Sequence, residues 1–195
     1  MLQAYYQSLL AAAAKKAPFT PVAYLESTGT QYINTGVLPD FAGGDEIEIH
    51  YYSPSTSGSV CVFGSRQANV RNGFYALGGG GITVADSAGY GSFYISNNDV
   101  QLTVNDLAVT ANGTAQTMPK RVSCAFPMFL FALNNGGNAF GIYNGCKIYD
   151  WIYRRNGAVA QHLVPALDAQ GVPCMWDTVA NTAKYNAGTG IFNYA

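Results

Sequence analysis

Acidic and histidine side chains that could do acid–base work stand closest together at Asp45-Glu46-Ile47-Glu48-Ile49-His50. Glu46 and Glu48 are two residues apart, on one face of an alternating segment, with His50 next on the same face. Paired carboxylates are what glycoside hydrolysis needs. Strand-borne hydrolytic centres of this kind use a Glu-x-Asp-x-x-Glu spacing, and the third acid is missing here. A solvated outer strand face accounts for these residues. His162, the other of the two histidines, has no acid at a telling spacing. Neither a Gly-x-Ser-x-Gly elbow nor a His-Glu-x-x-His motif occurs. The chain is therefore read as a non-enzyme.

Ligand binding asks for a different set of side chains. Sugar sites join an aromatic platform to Asn, Asp, Arg and backbone donors. Residues 66–75 have that composition, with Arg66, Asn69, Arg71 and Tyr75 as candidates, and so do Asn97, Asn98 and Asn134. The plain alternative is polar loops on a protein with few charges. Metal chemistry has little to build on. Cys61, Cys124, Cys146 and Cys174 contain no Cys-x-x-Cys pair and no adjacent histidine, which argues against zinc. Buried free thiols explain all four, with a single Cys146–Cys174 disulfide as the alternative.

The elements that must position these residues are strands. The chain has 195 residues, enough for one domain with its own core. Only 11% of them are charged and the net charge is -1, so no cationic face exists to hold nucleic acid. A surface this poor in charge favours association with neighbouring subunits. Residues 1–17 predict the one helix, with Leu2, Tyr6, Leu9, Leu10 and Ala13 forming its apolar face. Too short to span a bilayer, it has to dock on its own β-domain, on sister helices or on another protein. Its lysines follow the apolar stretch, the wrong polarity for a secretory leader. Pro18 and Pro21 predict a short extended linker over 18–21.

From residue 22 onward the pattern is strand and turn. Strands are predicted at 24–27, 31–34, 45–52, 60–63, 73–77, 91–96, 100–104, 107–110, 121–125, 128–132, 145–153, 158–164, 172–176, 184–185 and 191–194. Turns fall at 28–30, 78–81, Asn112-Gly113, 155–157 and 168–171, and 134–138 is read as a loop. In 146–153, period two places Ile148, Asp150 and Ile152 on one face and Tyr149, Trp151 and Tyr153 on the other. So many short strands predict an all-β antiparallel two-sheet sandwich or jelly roll over 22–195.

Three segments carry a family resemblance. They are YLESTGTQYINTGVLPD at 24–40, PMFLFALNNGG at 127–137, and CKIYDWIYRRNGAVAQHLVPALDAQGVPCMWDTVANTAKYNAGTGIF at 146–192. Together they resemble the laminin-G-like, concanavalin A-like domains of bacteriophage and prophage virion proteins, over roughly residues 22–194. The resemblance implies a concanavalin-like jelly roll with its N- and C-terminal strands adjacent, and a place on the virion surface, as in tail fibres and other appendages. It also implies that a rim Ca2+ is conceivable, with Asp86, Asp99 and Asp106 in loops, but these form no EF-hand-like cluster and no cofactor is expected. Function does not follow from such a fold alone. The expected role is a virion structural protein, oligomeric, attached to other virion proteins through residues 1–17, with host-surface polysaccharide as its ligand. A receptor-binding tail-fibre tip is the main alternative. A secreted bacterial adhesin is the other, and the missing leader argues against it.

Overall fold

The computed structural model describes residues 18–54, 60–67, 73–77, 81–86, 89–94, 98–105, 108–117 and 123–195. The segment 1–17, with Leu2, Tyr6, Leu9, Leu10 and Ala13, lies outside them, as do Asn69, Arg71, Asn97 and Asp106. Within the described residues the chain is all-β, with one 3-10 turn at Phe41–Gly43. The strands are β1 (Phe19–Pro21), β2 (Leu25–Thr28), β3 (Ile33–Asn34), β4 (Glu46–Tyr52), β5 (Cys61–Arg66), β6 (Gly73–Leu77) and β7 (Gly81–Asp86). They continue with β8 (Gly89–Tyr94), β9 (Asp99–Asn105), β10 (Ala108–Ala111), β11 (Thr114–Thr117), β12 (Phe129–Leu130) and β13 (Leu133–Asn135). The last are β14 (Asn138–Phe140), β15 (Asn144–Arg155), β16 (Ala158–Asp168), β17 (Pro173–Asp177), β18 (Thr182–Tyr185) and β19 (Asn193–Tyr194).

Two sheets pack face to face. The larger runs β11-β10-β9-β4-β15-β16-β17-β18, with β1 on β16, β2 on β15 and β19 on β2. In the smaller, β14-β13-β5-β6-β7-β8 are neighbours, β12 joins β5 and β3 joins β12. Among the described residues every ladder is antiparallel except β13 on β5. The core lies between the sheets, where Trp151 of the larger meets Phe63 of the smaller edge to face at 5.7 Å. Strand β4 shows why its sequence folds this way: Ile47, Ile49 and Tyr51 are buried, while Glu46, Glu48, His50 and Tyr52 face out. Asn112 and Gly113 take φ of 47° and 80°, and Asn156 and Gly157 take 52° and 75°. Those left-handed pairs make the tight turns β10–β11 and β15–β16, whose twist matches the strands they join.

Several segments depart from the sequence expectation. Residues 18–21 are extended, but 19–21 are not a free linker. They form β1, in register with 166–168 of β16, and the Phe19 ring stacks on Trp176 at 4.9 Å. Burying that ring draws the segment onto the sheet, and Pro21, which has no N–H to give, is its last residue. The apolar run 128–132 is a strand only at Phe129–Leu130, because Phe131 adopts φ of 66°. Its N–H donates to the Val62 carbonyl and its ring packs on Phe192 at 4.8 Å, so the run is buried without continuing the ladder. Of the strand expected over 121–125, the described part makes only the isolated bridge Ser123–Asp40. Residues 134–138 are no loop but the β13–β14 hairpin, turned by Gly136 and Gly137 at φ of 64° and 97°. Strands β7 and β11 were not legible in the sequence at all.

The phase of β15 also differs. Cys146 and Ile148 point inward, and so do Trp151 and Tyr153. Ile148 pairs with Tyr51 and Asp150 with His50, leaving Tyr149 as an extra residue. This bulge shifts the alternation by one, so that Tyr149 and Asp150 are both on the outer side. All four cysteines are free and buried, and no Cys146–Cys174 bond forms. Burial pushes the Cys61 and Cys124 thiols up to about 12 and Cys174 to about 11, which keeps them protonated.

Candidate functional site

The outer face of the larger sheet gathers both histidines with acidic and aromatic side chains into one strip. Four neighbouring strands, β9, β4, β15 and β16, build it. On β4 the outward residues are Glu46, Glu48, His50 and Tyr52, opposite Asn105, Thr103, Gln101 and Asp99 of β9. On its other side β4 meets Arg154, Ile152, Asp150 and Lys147 of β15. Both histidines sit here, each bonded to an aspartate. His50 Nε2 is 2.6 Å from Asp99 Oδ1, and His162 Nε2 is 2.8 Å from Asp150 Oδ1. Asp150 and His50 are direct cross-strand partners. Acid and base therefore alternate across four strands: Asp99, His50, Asp150, His162.

One end of the strip is aromatic. The Tyr149 ring lies on His50 at 4.4 Å and meets Tyr24 edge-on at 6.0 Å. Lys147 Nζ stands 4.3 Å from the centre of the Tyr24 ring and 5.8 Å from that of Tyr52. Burial, with Asp99 nearby, raises the Tyr149 phenol above its ordinary range, so it stays a neutral donor. At the other end Arg154 is paired with Glu46 at 2.9 Å and with Glu48. Between the two ends lies a depression of about 280 Å³ lined by Glu48, His50, Gln101, Thr103 and Asp150. Such a surface offers flat rings for the apolar faces of a sugar and closely spaced donors and acceptors for its hydroxyls.

The chain matches no protein-family model and no curated protein. The site must therefore be judged on its own geometry.

The candidates named from sequence are placed elsewhere. Arg66 lies between Tyr75 and Phe140, with its guanidinium carbon 5.9 and 5.7 Å from the ring centres, and its Nε donates to Asn135 Oδ1 at 2.9 Å. Tyr75 is only 7% exposed. Asn134 is buried, donates to the Pro127 carbonyl at 2.9 Å and accepts from Gly137 N–H at 2.7 Å. Arg66 and Tyr75 thus pack together on the smaller sheet, and Asn134 holds the neighbouring β13–β14 hairpin. Asn98 is exposed at the far end of the sandwich, where its carbonyl accepts Ser53 N–H just past the end of β4. Arg66 pairs with Gly73, and the neighbouring Phe74 packs on Phe41, ahead of the start of β4. The structure does not bring Arg66 and Asn98 together. Asn69, Arg71 and Asn97 lie outside the described residues.

Of the aspartates considered for calcium, Asp86 ends β7 and Asp99 opens β9, while Asp106 lies outside the described residues. Among the described residues no group of three His, Cys, Asp or Glu is placed to hold a metal ion.

Sequence reasoning found Glu46, Glu48 and His50 but took them for a bare solvated face, and it gave His162 no acid. Asp150 is that acid. Asp150 shares the outer face with Ile152, and a register shift in the β15–β16 ladder, where Ala160 is the extra residue, puts His162 opposite Ile152 on that face. No residue type announces a bulge at this position, so the pairing had no sequence signal. Tyr24, Tyr52, Lys147 and Tyr149 were missed for the same reason: their proximity is a product of register.

Proposed function

We propose that this chain is a surface component of a bacteriophage virion that displays a concanavalin-like jelly roll and touches host-surface glycan through the outer face of its larger sheet. Residues 1–17 are its attachment segment, to other virion proteins or to sister copies. The reading is carried by the strip of Tyr24, Tyr52, Tyr149 and His50 beside Asp99, Asp150 and Glu48, because rings next to a shallow depression lined by carboxylates suit a sugar. The two-sheet all-β architecture supports the jelly-roll part. So does the pairing of β19 with β2, which sets the C-terminal strand beside an N-terminal one as the resemblance implies. With fold alone so permissive of function, the strip is the feature to test.

The full chain, printed against an array of bacterial surface polysaccharides, is expected to bind a subset. Tyr149→Ala should weaken that binding about five- to tenfold, the value of one aromatic contact of about 1 kcal/mol. Arg66→Ala, on the smaller sheet, should leave it unchanged. Loss with Arg66→Ala and none with Tyr149→Ala would move the contact to the other sheet and reject the strip. The virion setting has its own test. Cryo-electron microscopy of purified particles should find the chain on the outer surface, with the larger sheet facing solvent, and its absence from particles would reject that setting.

A further inference from the structure

A second depression, apolar and apart from the strip, lies at the end of the larger sheet. It measures about 550 Å³ and is walled by Val172, Pro173, Tyr185, Ile191, Phe192 and Tyr194. Eight large hydrophobic residues are well exposed among the described residues, and four of them are here: Ile191 at 72%, Tyr185 at 48%, Tyr194 at 46% and Val172 at 45%. Concentrating half of the exposed apolar side chains in one groove marks it as a covered or covering surface.

The place where the described chain starts says what covers it. Pro18 precedes Phe19, which stands opposite Asp168. The Asp168 carboxylate ties two residues of the groove wall together: Oδ1 accepts Val172 N–H at 2.9 Å and Oδ2 accepts the Tyr185 hydroxyl at 2.8 Å. The chain direction of β1 carries residues 1–17 off the tip of the β16–β17 hairpin, beside Gly171 and Val172. Those seventeen residues hold the apolar set Leu2, Tyr6, Leu9, Leu10 and Ala13.

We propose that the groove seats the apolar stripe of residues 1–17 of the same chain, with Leu9, Leu10 and Ala13, the members nearest Pro18, inside it. The helix that the sequence predicts over 1–17 would be about 25 Å long, so the groove would take its last turns and not the whole. From Ala13 to Pro18 the backbone can span at most about 17 Å, short enough to hold the stripe close and long enough to let it turn back. A segment tethered this closely meets the groove at an effective concentration of order millimolar, well above that of any second copy in dilute solution. In the free protein the stripe is thus shielded, and attachment to a particle has to lift it out. This inference is independent of glycan contact.

Methyl-labelled full-length protein tests it by NMR at low concentration. Contacts are expected between the Leu9 and Leu10 methyls and those of Val172 and Ile191, within one molecule. Ile191→Asp, at an exposed position that should not disturb folding, is expected to erase these contacts and shift the Leu9 and Leu10 methyl signals. Two outcomes overturn the proposal. One is no contact, with leucine signals blind to Ile191→Asp. The other is contact seen only between differently labelled molecules in a mixed sample, which would assign the groove to a second copy.

Discussion

Trp151→Ala is expected to lower the unfolding free energy by about 3–5 kcal/mol, the range for deleting a large buried aromatic. Trp151 is fully buried at the middle of β15, on the central strand of the larger sheet, and its ring meets Phe63 across the core. Phe63 in turn packs on Phe74 at 5.8 Å and on Tyr51 at 6.5 Å, so the cavity would open where the two sheets hold each other. Packed neighbours on both sides leave little room for collapse. The indole Nε1–H meets no acceptor among the described residues. Trp151→Phe therefore removes an unpaired polar group along with some volume, and it should cost clearly less than Trp151→Ala. Urea unfolding of the three proteins measures both differences. A loss below about 1 kcal/mol for the alanine variant would mean the sheets are not held at this point.

Asp45→Ala should be nearly as damaging, on the order of 3 kcal/mol, for an electrostatic reason. Asp45 is 3% exposed. Its carboxylate accepts Asp40 N–H at 2.8 Å and the Tyr153 hydroxyl, and Arg155 stands at 3.3 Å. Alanine leaves the buried Tyr153 phenol and the part-buried Asp40 amide without their acceptor. The pH dependence carries the same signature. Burial pushes the Asp45 carboxyl up, but the hydrogen bonds from Tyr153 and Asp40 N–H, together with Arg155, outweigh it and set the pKa below the usual aspartate value. The folded state then holds the proton less tightly than the unfolded chain does. This stabilisation is complete above about pH 4 and is lost as the pH falls through the lower, folded value. Unfolding free energies followed from pH 6 down to pH 2 should fall more steeply for the natural chain than for Asp45→Asn. Asp168 adds acid dependence of the same sign, its carboxylate being held down by the Val172 N–H and the Tyr185 hydroxyl, and that part should survive in the variant. Parallel acid limbs for the two proteins would show that Asp45 is not the titrating group.

The larger part of the fold could be read from residue order because local rules governed it. Strand β4 announced itself by strict alternation, and the Asn-Gly pairs at 112–113 and 156–157 marked their turns through the positive φ that those residues tolerate. The misses share a cause, which is tertiary contact overriding local pattern. Phe131 leaves the extended region because its ring has a better place against Phe192. Phe19 pulls a proline-flanked segment into a sheet because Trp176 offers it a stacking partner. The candidate site was the least legible part. Glu48 and His50 share a strand and could be grouped by eye, but Asp150 joined them through the pairing of β15 with β4, and His162 only through the single-residue shift at Ala160. Register is decided by the whole sheet, and a string of residue types does not contain it.

Strand β2 lies between β15 and β19, pairing with residues 144–148 on one side and 193–194 on the other. During synthesis at the ribosome, 25–28 emerge long before either partner exists. Both edges of that strand then wait with unpaired backbone groups while most of the domain is translated. Contacts so distant along the chain make for slow folding and a window in which nascent chains can pair with one another. The yield of this domain in a cell should therefore depend on translation rate and on chaperones that bind extended segments, even where the finished molecule is robust.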